Sequence, residues 1–341
     1  MPGKPITPKK PLVYLDWSTL VYAFDGTSDS ARDVRRNLSR TVVDISAKAN
    51  LCLSFTHICE LTHNRDAVGR AAMARWLDGL DAVWLRSESE VEVAELRHAL
   101  VCAATGTRVP PPVPAVPSFL SMWGEALRGE ALEYALANPT LDALVELIAS
   151  EPRLMTRLEQ GMRGGSIAAA KQLYLDRKAA FGSVGEAAMN ADLDRRFRKR
   201  LESDALAMAG HLRGDANSGL YVERDGLHVP PTDDELRARI GGALDVTVMP
   251  YTYLAQRFIR SAAKDVLGRP NVNTKAFDEQ RGDFYDIEHL VGAAYCDLFT
   301  CDQRTEQRLA NGRALIGRGL PITAAGGLER LNERIASQLA G

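Results

Sequence analysis

The stretch Leu12-Val13-Tyr14-Leu15-Asp16 decides the fold, because it is a short apolar run that ends in a carboxylate. Similar apolar runs follow at Leu51 to Phe55 and at Ala82 to Leu85, and segments with the helical spacing of apolar residues separate them. Short strands that alternate with helices over short links predict a parallel β-sheet. We therefore expect an α/β fold whose sheet begins near the N-terminus.

The same alternation returns near the C-terminus. A helix around Asp283 leads into a strand at Leu298 to Thr300, and Pro321 to Thr323 is predicted as a last edge strand before a C-terminal helix. The intervening sequence is mainly helical, apart from a loop or small hairpin around Leu220 to Val222. We predict an N-terminal part of the core over 11–105, a mainly helical insertion over 106–270 and a C-terminal part of the core over 271–341.

Composition narrows the class of protein. The 42 Lys and Arg residues nearly balance the 44 Asp and Glu residues, which argues against a strongly basic coat for nucleic acid but permits a local basic patch. No apolar stretch approaches the roughly 18 residues that span a bilayer, and residues 1–10 lack the apolar segment of a secretory signal. Five cysteines without metal-ligand spacing are typical of reduced thiols. These features predict a cytoplasmic protein with no membrane partner.

Four carboxylates fall at predicted strand ends or helix starts, and they lie far apart in the chain: Asp16, Glu60, Asp286 and Asp302. Strand C-termini converge on one edge of a parallel sheet, and ligands bind at that edge. Carboxylates gathered there repel one another unless a cation lies among them, and hard oxygen ligands suit Mg²⁺ or Mn²⁺. This layout predicts a phosphodiesterase site with one or two metal ions.

Asp283, Asp286 and His289 step by three residues and therefore share one face of a short helix. Asp283 is a further candidate metal ligand and His289 a supporting residue, although Asp283 also suits the N-cap of that helix. Asp286 is expected to need a partner, because the apolar residues around it are typical of a buried segment. Asp16 has an alternative role too, since an Asp after a strand is a good helix N-cap.

Two histidines bracket Glu60 at a distance of three residues on either side, so one helical face could hold His57, Glu60 and His63. A zinc site is one interpretation of this pattern. The spacing differs from the His-Glu-two residues-His motif of zinc proteases, however, and His63 is expected to be a surface residue.

The order of these residues resembles the PIN-domain nucleases. The similarity lies in Leu15-Asp16-Trp17-Ser18, in Glu60-Leu61, and most specifically in the stretch from Asp286 to Asp302. It covers about residues 11–100 and 275–335 and leaves the middle of the chain unexplained. The resemblance implies a PIN-like α/β/α core in which Asp16, Glu60, Asp286 and Asp302 are metal ligands, with Ser18 as the small polar residue beside the first Asp.

The resemblance also implies an activity, namely a Mg²⁺- or Mn²⁺-dependent endoribonuclease of toxin or defence type that acts on RNA in the cytoplasm. DNA cleavage on the same core stays open as an alternative, because the sequence shows no element that reads bases or sugars. The alternative from another class is a catalytically silent module that binds nucleic acid or protein. In such a module the acidic residues would only cap helices. Partners left open are an antitoxin, another protein or a second copy of the chain.

One dense basic run lies in the predicted insertion, and its charged members are Arg195, Arg196, Arg198, Lys199 and Arg200. One interpretation is a solvated helix face. The other is a phosphate-binding surface, because a near-neutral protein with an acidic pocket needs local positive charge to hold a polyanion. Phe197 within the run is expected to be core, since it keeps helical spacing with Leu193 and Leu201.

Overall fold

The structure is a computed structural model that describes residues 10–116, 118–119, 130–151, 153, 175–180, 182, 184–213, 215, 218–267, 286–323 and 327–340. Asp283, one of the predicted ligands, lies outside these residues. Two compact units are present. The first unit comprises Met1–Glu88, Val113–Gly164 and Thr274–Gly341, and the second comprises Ser89–Pro112 and Gly165–Asn273.

Short strands and helices alternate along the chain. Up to Val116 the elements are β1 Leu12–Tyr14, α1 Trp17–Asp25, α2 Asp33–Lys48, β2 Asn50–Ser54, α3 Phe55–Thr62, α4 Ala67–Asp78, β3 Val83–Leu85, α5 Glu88–Thr105 and β4 Ala115–Val116. The remaining elements are α6 Glu130–Ala137, α7 Leu141–Ser150, α8 Glu186–Leu212, β5 Val222–Arg224, β6 Leu227–Val229, α9 Asp233–Ala243, α10 Pro250–Leu267, α11 Leu290–Tyr295, β7 Leu298–Cys301, α12 Gln303–Leu315, β8 Ile322–Thr323 and α13 Leu328–Ala340.

A six-stranded sheet in the order β4-β3-β2-β1-β7-β8 forms the centre of the first unit. All neighbouring strands are parallel except β3 and β4. In the central strand, Tyr14 pairs with Cys52 of β2 on one side and with Phe299 of β7 on the other. The predicted α/β fold with a mainly parallel sheet is confirmed.

The two faces of β1 pack differently, because successive side chains of a strand point to opposite sides. Val13 and Leu15 join an apolar cluster with the buried side of α2, whose Leu38, Val42 and Ile45 recur at helical spacing. Tyr14 points to the other face. There α11 approaches so closely that a Cβ added to Gly292 would lie 2.3 Å from Tyr14 Cγ. A glycine at this position therefore lets the helix pack against the ring.

The second unit has its own core, in which α8 and α5 contribute side chains at helical spacing. Phe197 and Leu201 of α8 are buried in one cluster with Leu100 of α5, so the expectation that Phe197 belongs to the core is confirmed. The buried carboxylate of Glu95 accepts hydrogen bonds from the backbone nitrogens of Tyr251 and Thr252, at 2.7 and 2.9 Å. It thereby satisfies donors in the first turn of α10 that a helix leaves unpaired.

A hairpin also belongs to the second unit. Strands β5 and β6 pair antiparallel around Asp225 and Gly226, whose φ angles are 53° and 77°. Two consecutive left-handed residues, Asp-Gly, are the preferred turn of a two-residue hairpin. Of the two readings of this segment, loop or hairpin, the hairpin is the one observed.

The boundaries of the units differ from those drawn from the sequence. Residues 89–105, predicted as part of the N-terminal core, group with the second unit because the apolar side of α5 packs there. Residues Val113–Gly164, predicted as insertion, group with the first unit because Leu141, Leu144 and Ile148 of α7 join the cluster around β1. Within the described residues, no helix is both long enough and apolar enough to cross a membrane.

Candidate functional site

The site lies where the direction of the strand order reverses. From β1 the chain continues to β2 and β3 on one side, whereas β7 and β8 occupy the other side. The crevice at such a switch point, outside the C-terminal ends of the strands, is the usual binding place in open α/β sheets. Asp16 follows β1 and Asp302 follows β7. The fold therefore places two of the predicted ligands on the two strands that flank the switch point.

Asp16 is buried and held by hydroxyl groups. Its Oδ1 accepts hydrogen bonds from the backbone nitrogen and the hydroxyl of Thr19 and from Thr300 Oγ1, the last at 2.8 Å. Its Oδ2 accepts one from Ser18 Oγ at 2.5 Å. Asp16 is also the N-cap of α1, so the alternative role considered for it is present in the fold. Ser18 lies beside the first Asp, as the resemblance implies.

Asp302 caps a helix as well. Its Oδ1 accepts a hydrogen bond from the backbone nitrogen of Thr305 at 2.6 Å, which makes it the N-cap of α12. Unlike Asp16, its side chain is exposed. Cys301, immediately before it, is buried, and burial raises the pKa of the Cys301 thiol. The negative charges of Asp16, Asp302 and Glu306 raise this pKa further, so all three carboxylates act on the same thiol.

Glu60 and His289 form the contact that joins α3 to the segment before α11. His289 Nε2 lies 3.2 Å from Glu60 Oε2, and only 6% of His289 is exposed. Burial by itself lowers the pKa of His289, but the attraction of Glu60, Asp16 and Asp286 outweighs it and the pKa is raised. Glu60 and Asp16 from distant segments, and Asp286 three residues before His289, therefore exert their charge on one imidazole.

His57 is bound through both ring nitrogens to the backbone. Nδ1 accepts from the backbone nitrogen of Ser54 at 2.9 Å, and Nε2 donates to the carbonyl of Leu15 at 2.8 Å. Burial first, and then the neighbouring His289, lower the pKa of His57 to about 3. His57 is thus a neutral structural imidazole with no nitrogen left for a metal. The zinc interpretation is wrong for this residue, and His63 is exposed as expected.

Two further residues, Tyr14 and Glu288, lie in this site although nothing in the sequence indicates it. Tyr14 lies between Ser54 and His289, with its hydroxyl 2.7 Å from Ser54 Oγ and 2.6 Å from His289 Nδ1. Glu288, next to His289, is buried and accepts a hydrogen bond from Thr56 at 3.0 Å. Burial, reinforced by Glu88, raises the pKa of Glu288 to about 8. Glu288 and Thr56 line a small pocket at the ends of β2 and β3. Its other lining residues are Ser54, Phe55, Arg86, Ser87 and Glu88.

Carboxylates lie at this edge of the sheet, and carboxylate oxygens are the donors that hard cations prefer. The charges of Asp16, Glu60 and Asp286 raise the pKa of the nearby His289. Within the described ranges, however, no three His, Cys, Asp or Glu side chains are placed close enough to form a ready-made metal cage. Asp16 and Glu60 are instead each bound to hydrogen-bond donors of the protein.

The basic run lies on the exposed side of α8. Arg195 and Arg196 both pair with the buried carboxylate of Asp192, and Arg200 pairs with Glu92 at 3.3 Å. Burial by itself raises the pKa of Asp192, but Arg196, Arg195 and Arg177, with Arg196 the strongest, bring it below its usual range. These ion pairs therefore neutralise part of the positive charge of the basic run within the second unit.

Comparison with known proteins yields no match. No family description fits the sequence, and neither a characterised protein nor a solved structure is similar to the chain at a significant level.

Proposed function

We propose that this chain is a PIN-like, Mg²⁺- or Mn²⁺-dependent phosphodiesterase that cleaves RNA. The observation that carries the proposal is the position of Asp16 and Asp302 just after β1 and β7, the two strands at the switch point, with Glu60 hydrogen-bonded to the buried His289 at 3.2 Å. Each of these acids comes from a different part of the chain. Glu60 lies within α3, so helix capping does not account for its contact with His289.

Asp16, Glu60 and Asp286 are the residues that would hold the cation, with Asp302 at the end of the neighbouring strand and Asp283 as a further candidate. The chemistry supplied by a bound Mg²⁺ or Mn²⁺ is polarisation of a phosphoryl oxygen and activation of water. Other side chains of the protein orient the carboxylates that would bind the cation. Ser18 and Thr300 fix both oxygens of Asp16, and His289 orients one oxygen of Glu60.

RNA as substrate, and a role as a toxin or defence nuclease, rest on the resemblance to PIN-domain nucleases. DNA cleavage is the rival on the same core. A specific observation also favours a second candidate from another class, a catalytically silent binding module. Asp16 and Asp302 both serve as helix N-caps, which gives each a structural role independent of any metal.

The test compares cleavage of one labelled single-stranded RNA and of the DNA of the same sequence. We expect RNA cleavage by the wild type with Mn²⁺ or Mg²⁺, no cleavage with EDTA, and recovery when the metal is restored. Asp16→Asn and Glu60→Gln should reduce cleavage by orders of magnitude while the fold is retained, since Asn still caps helices. Asp44→Asn, an exposed acid on α2, is the matched control and should cleave normally.

Two results would reject the nuclease. Cleavage that survives exhaustive chelation would show that no cation takes part. Cleavage that is equally strong in wild type, Asp16→Asn and Glu60→Gln would come from a contaminant or another site. Absence of cleavage in the wild type with saturable RNA binding would favour the silent module.

A further inference from the structure

A continuous line of hydrogen-bonding groups runs beneath the candidate site. It begins at His57, whose Nδ1 lies 3.2 Å from Ser54 Oγ. It continues from Ser54 to the hydroxyl of Tyr14, from Tyr14 to His289 Nδ1, and from His289 Nε2 to Glu60. His57, Ser54, Tyr14 and His289 are all buried. Buried polar groups that satisfy one another in this way hold each other in one arrangement.

The far end of this line is fixed by the backbone. A backbone nitrogen can only donate and a carbonyl can only accept, so the contacts of His57 with Ser54 and Leu15 place its hydrogen on Nε2. Ser54 is held between this imidazole and Tyr14. The ring of Tyr14 is held as well, because Phe299 stacks against it with centroids 5.6 Å apart and Gly292 lies beneath it. The Tyr14 hydroxyl therefore has little freedom to move.

At the other end of the line, the contacts of His289 determine whether its Nε2 atom carries the hydrogen that binds Glu60. A carboxylate only accepts hydrogen bonds, so His289 must carry a hydrogen on Nε2 to bind Glu60. When His289 is neutral, the Tyr14 hydroxyl donates to Nδ1 and leaves the single hydrogen on Nε2. When His289 is protonated, Nδ1 donates to Tyr14 and Nε2 still donates to Glu60. In both states the Tyr14 contact keeps the Nε2 hydrogen directed at the carboxylate.

We infer that Tyr14 is a positioning residue for the cation site, acting through His289 on the Glu60 carboxylate. This inference rests on the proposed function, because it concerns the cation that Glu60 would hold. Without the hydroxyl, His289 Nδ1 loses its buried partner, and of these two contacts only the one with Glu60 is left to orient the ring. The ring is then freer to turn, and the carboxylate is held less firmly in the orientation that would bind the cation. Removing a group bonded directly to a metal ligand typically lowers metal affinity by about 10- to 100-fold, and Tyr14 acts one residue further out, so we expect an effect of about tenfold.

The experiment measures Mn²⁺ binding by isothermal titration calorimetry on the full chain, without substrate. Tyr14→Phe removes only the hydroxyl, and we expect its Kd for Mn²⁺ to rise by about tenfold over the wild type. Val42→Ala is the matched control. It removes buried methyl groups from the same unit, on the other face of the sheet, and should lower stability without changing the Kd.

A double-mutant cycle separates positioning from a general structural effect. In His289→Gln the side-chain amide can donate to Glu60 without help from Tyr14, so adding Tyr14→Phe should change the Kd by less than about twofold. If Tyr14→Phe alone binds Mn²⁺ as tightly as the wild type, the inference is overturned and the proposed function stands. An equal loss in both backgrounds would also overturn it. If the wild type itself shows no saturable Mn²⁺ binding, both the cation site and the inference fail.

Discussion

Asp16 and Thr300 bind each other from neighbouring strands of the sheet. The backbone nitrogen of Asp16 donates to Thr300 Oγ1 at 2.8 Å, and the same hydroxyl donates to Asp16 Oδ1, also at 2.8 Å. Thr300 has no exposed surface. One hydroxyl group thus joins the ends of β1 and β7 at the switch point and fixes the orientation of the carboxylate that faces it.

Replacing Thr300 by Val tests this contact. The variant keeps the shape of the side chain but leaves the buried nitrogen of Asp16 without its acceptor, so we expect a loss of roughly 1–3 kcal/mol in the free energy of unfolding. Urea denaturation measures the loss. Thr300→Ser is the control, because it keeps the hydroxyl and should cost less than Thr300→Val. Equal losses in the two variants would mean that the methyl group and not the hydrogen bonds stabilises this position.

The second prediction concerns the close approach of α11 to the central strand. Because a Cβ at Gly292 would lie 2.3 Å from Tyr14 Cγ, Gly292→Ala must displace the ring or the helix. We expect destabilisation of about 1–3 kcal/mol, as for other overpacked cores, measured as a lower melting temperature. Gly210→Ala in α8 is the control, since nothing lies within 4 Å of its added Cβ. That variant should gain about 0.5–1 kcal/mol from helix propensity, and a loss of similar size in both would contradict the steric explanation.

The sheet could be predicted from the sequence because its strands are buried on both faces. Runs such as Leu12 to Leu15 and Leu298 to Thr300 consist of buried, mainly apolar residues, which distinguishes them from the periodic helices between them. The edge strand Ala115–Val116 was not predicted, because it lies among prolines and reads as a linker. Helix starts are harder to locate in a sequence, because neighbouring residues can both suit the N-cap. Asp66 caps α4, whereas the nearby Asn64 side chain accepts from the Asp66 nitrogen.

The candidate site could be predicted only in part. Carboxylates at strand ends are visible in a sequence because a charge interrupts an apolar run, as at Asp16. The partners of those carboxylates are not visible, since Tyr14 looks like an ordinary core residue and its hydroxyl meets His289 across 275 residues of chain. Glu288 could not be recognised from the sequence for a different reason. Its burial depends on the tertiary packing, and nothing in its local sequence distinguishes it from an exposed Glu.

The third prediction concerns the pH dependence of stability. His57 has a native pKa of about 3, against an ordinary value of 6.5, because burial and then His289 disfavour its charged form. Below pH 6.5 the unfolded chain binds a proton that the native protein does not bind, so the stability from His57 is complete above pH 6.5 and falls as the pH falls toward 3. Glu288 acts in the opposite sense in part of this range, since its raised pKa lets the native protein keep a proton that the unfolded chain loses.

A comparison of variants isolates His57 from Glu288. His57→Gln cannot titrate, so the difference in unfolding free energy between the wild type and His57→Gln should shrink by about 2 kcal/mol between pH 6.5 and pH 5. Urea denaturation at several pH values provides the measurement. His63→Gln, at an exposed position, is the control and should follow the wild type at every pH. A difference for His57→Gln that stays constant with pH would show that His57 titrates normally in the native protein.

The last prediction concerns the basic run of α8. Arg195 and Arg196 bind the buried Asp192, so changing them would disturb the helix itself. Neutralising Arg198, Lys199 and Arg200 to Gln is the cleaner test, because all three side chains are exposed. If they bind phosphates, the Kd for single-stranded RNA should rise, and the salt dependence of log Kd should flatten by about 0.7 for each charge, or about 2 in all. The kcat should change little, since these residues would contribute to binding and not to chemistry.

Fluorescence anisotropy in an Asp16→Asn background measures the Kd without cleavage of the RNA. The matched control neutralises Arg40, Lys48 and Arg330, three exposed cations of the first unit, and changes the net charge by the same amount. A general charge effect would weaken binding equally in the two triple variants, whereas a phosphate-binding helix would weaken it in the α8 variant alone. If the α8 variant binds RNA with the wild-type Kd and salt slope, the run is a solvated face whose arginines serve the ion pairs with Asp192 and Glu92.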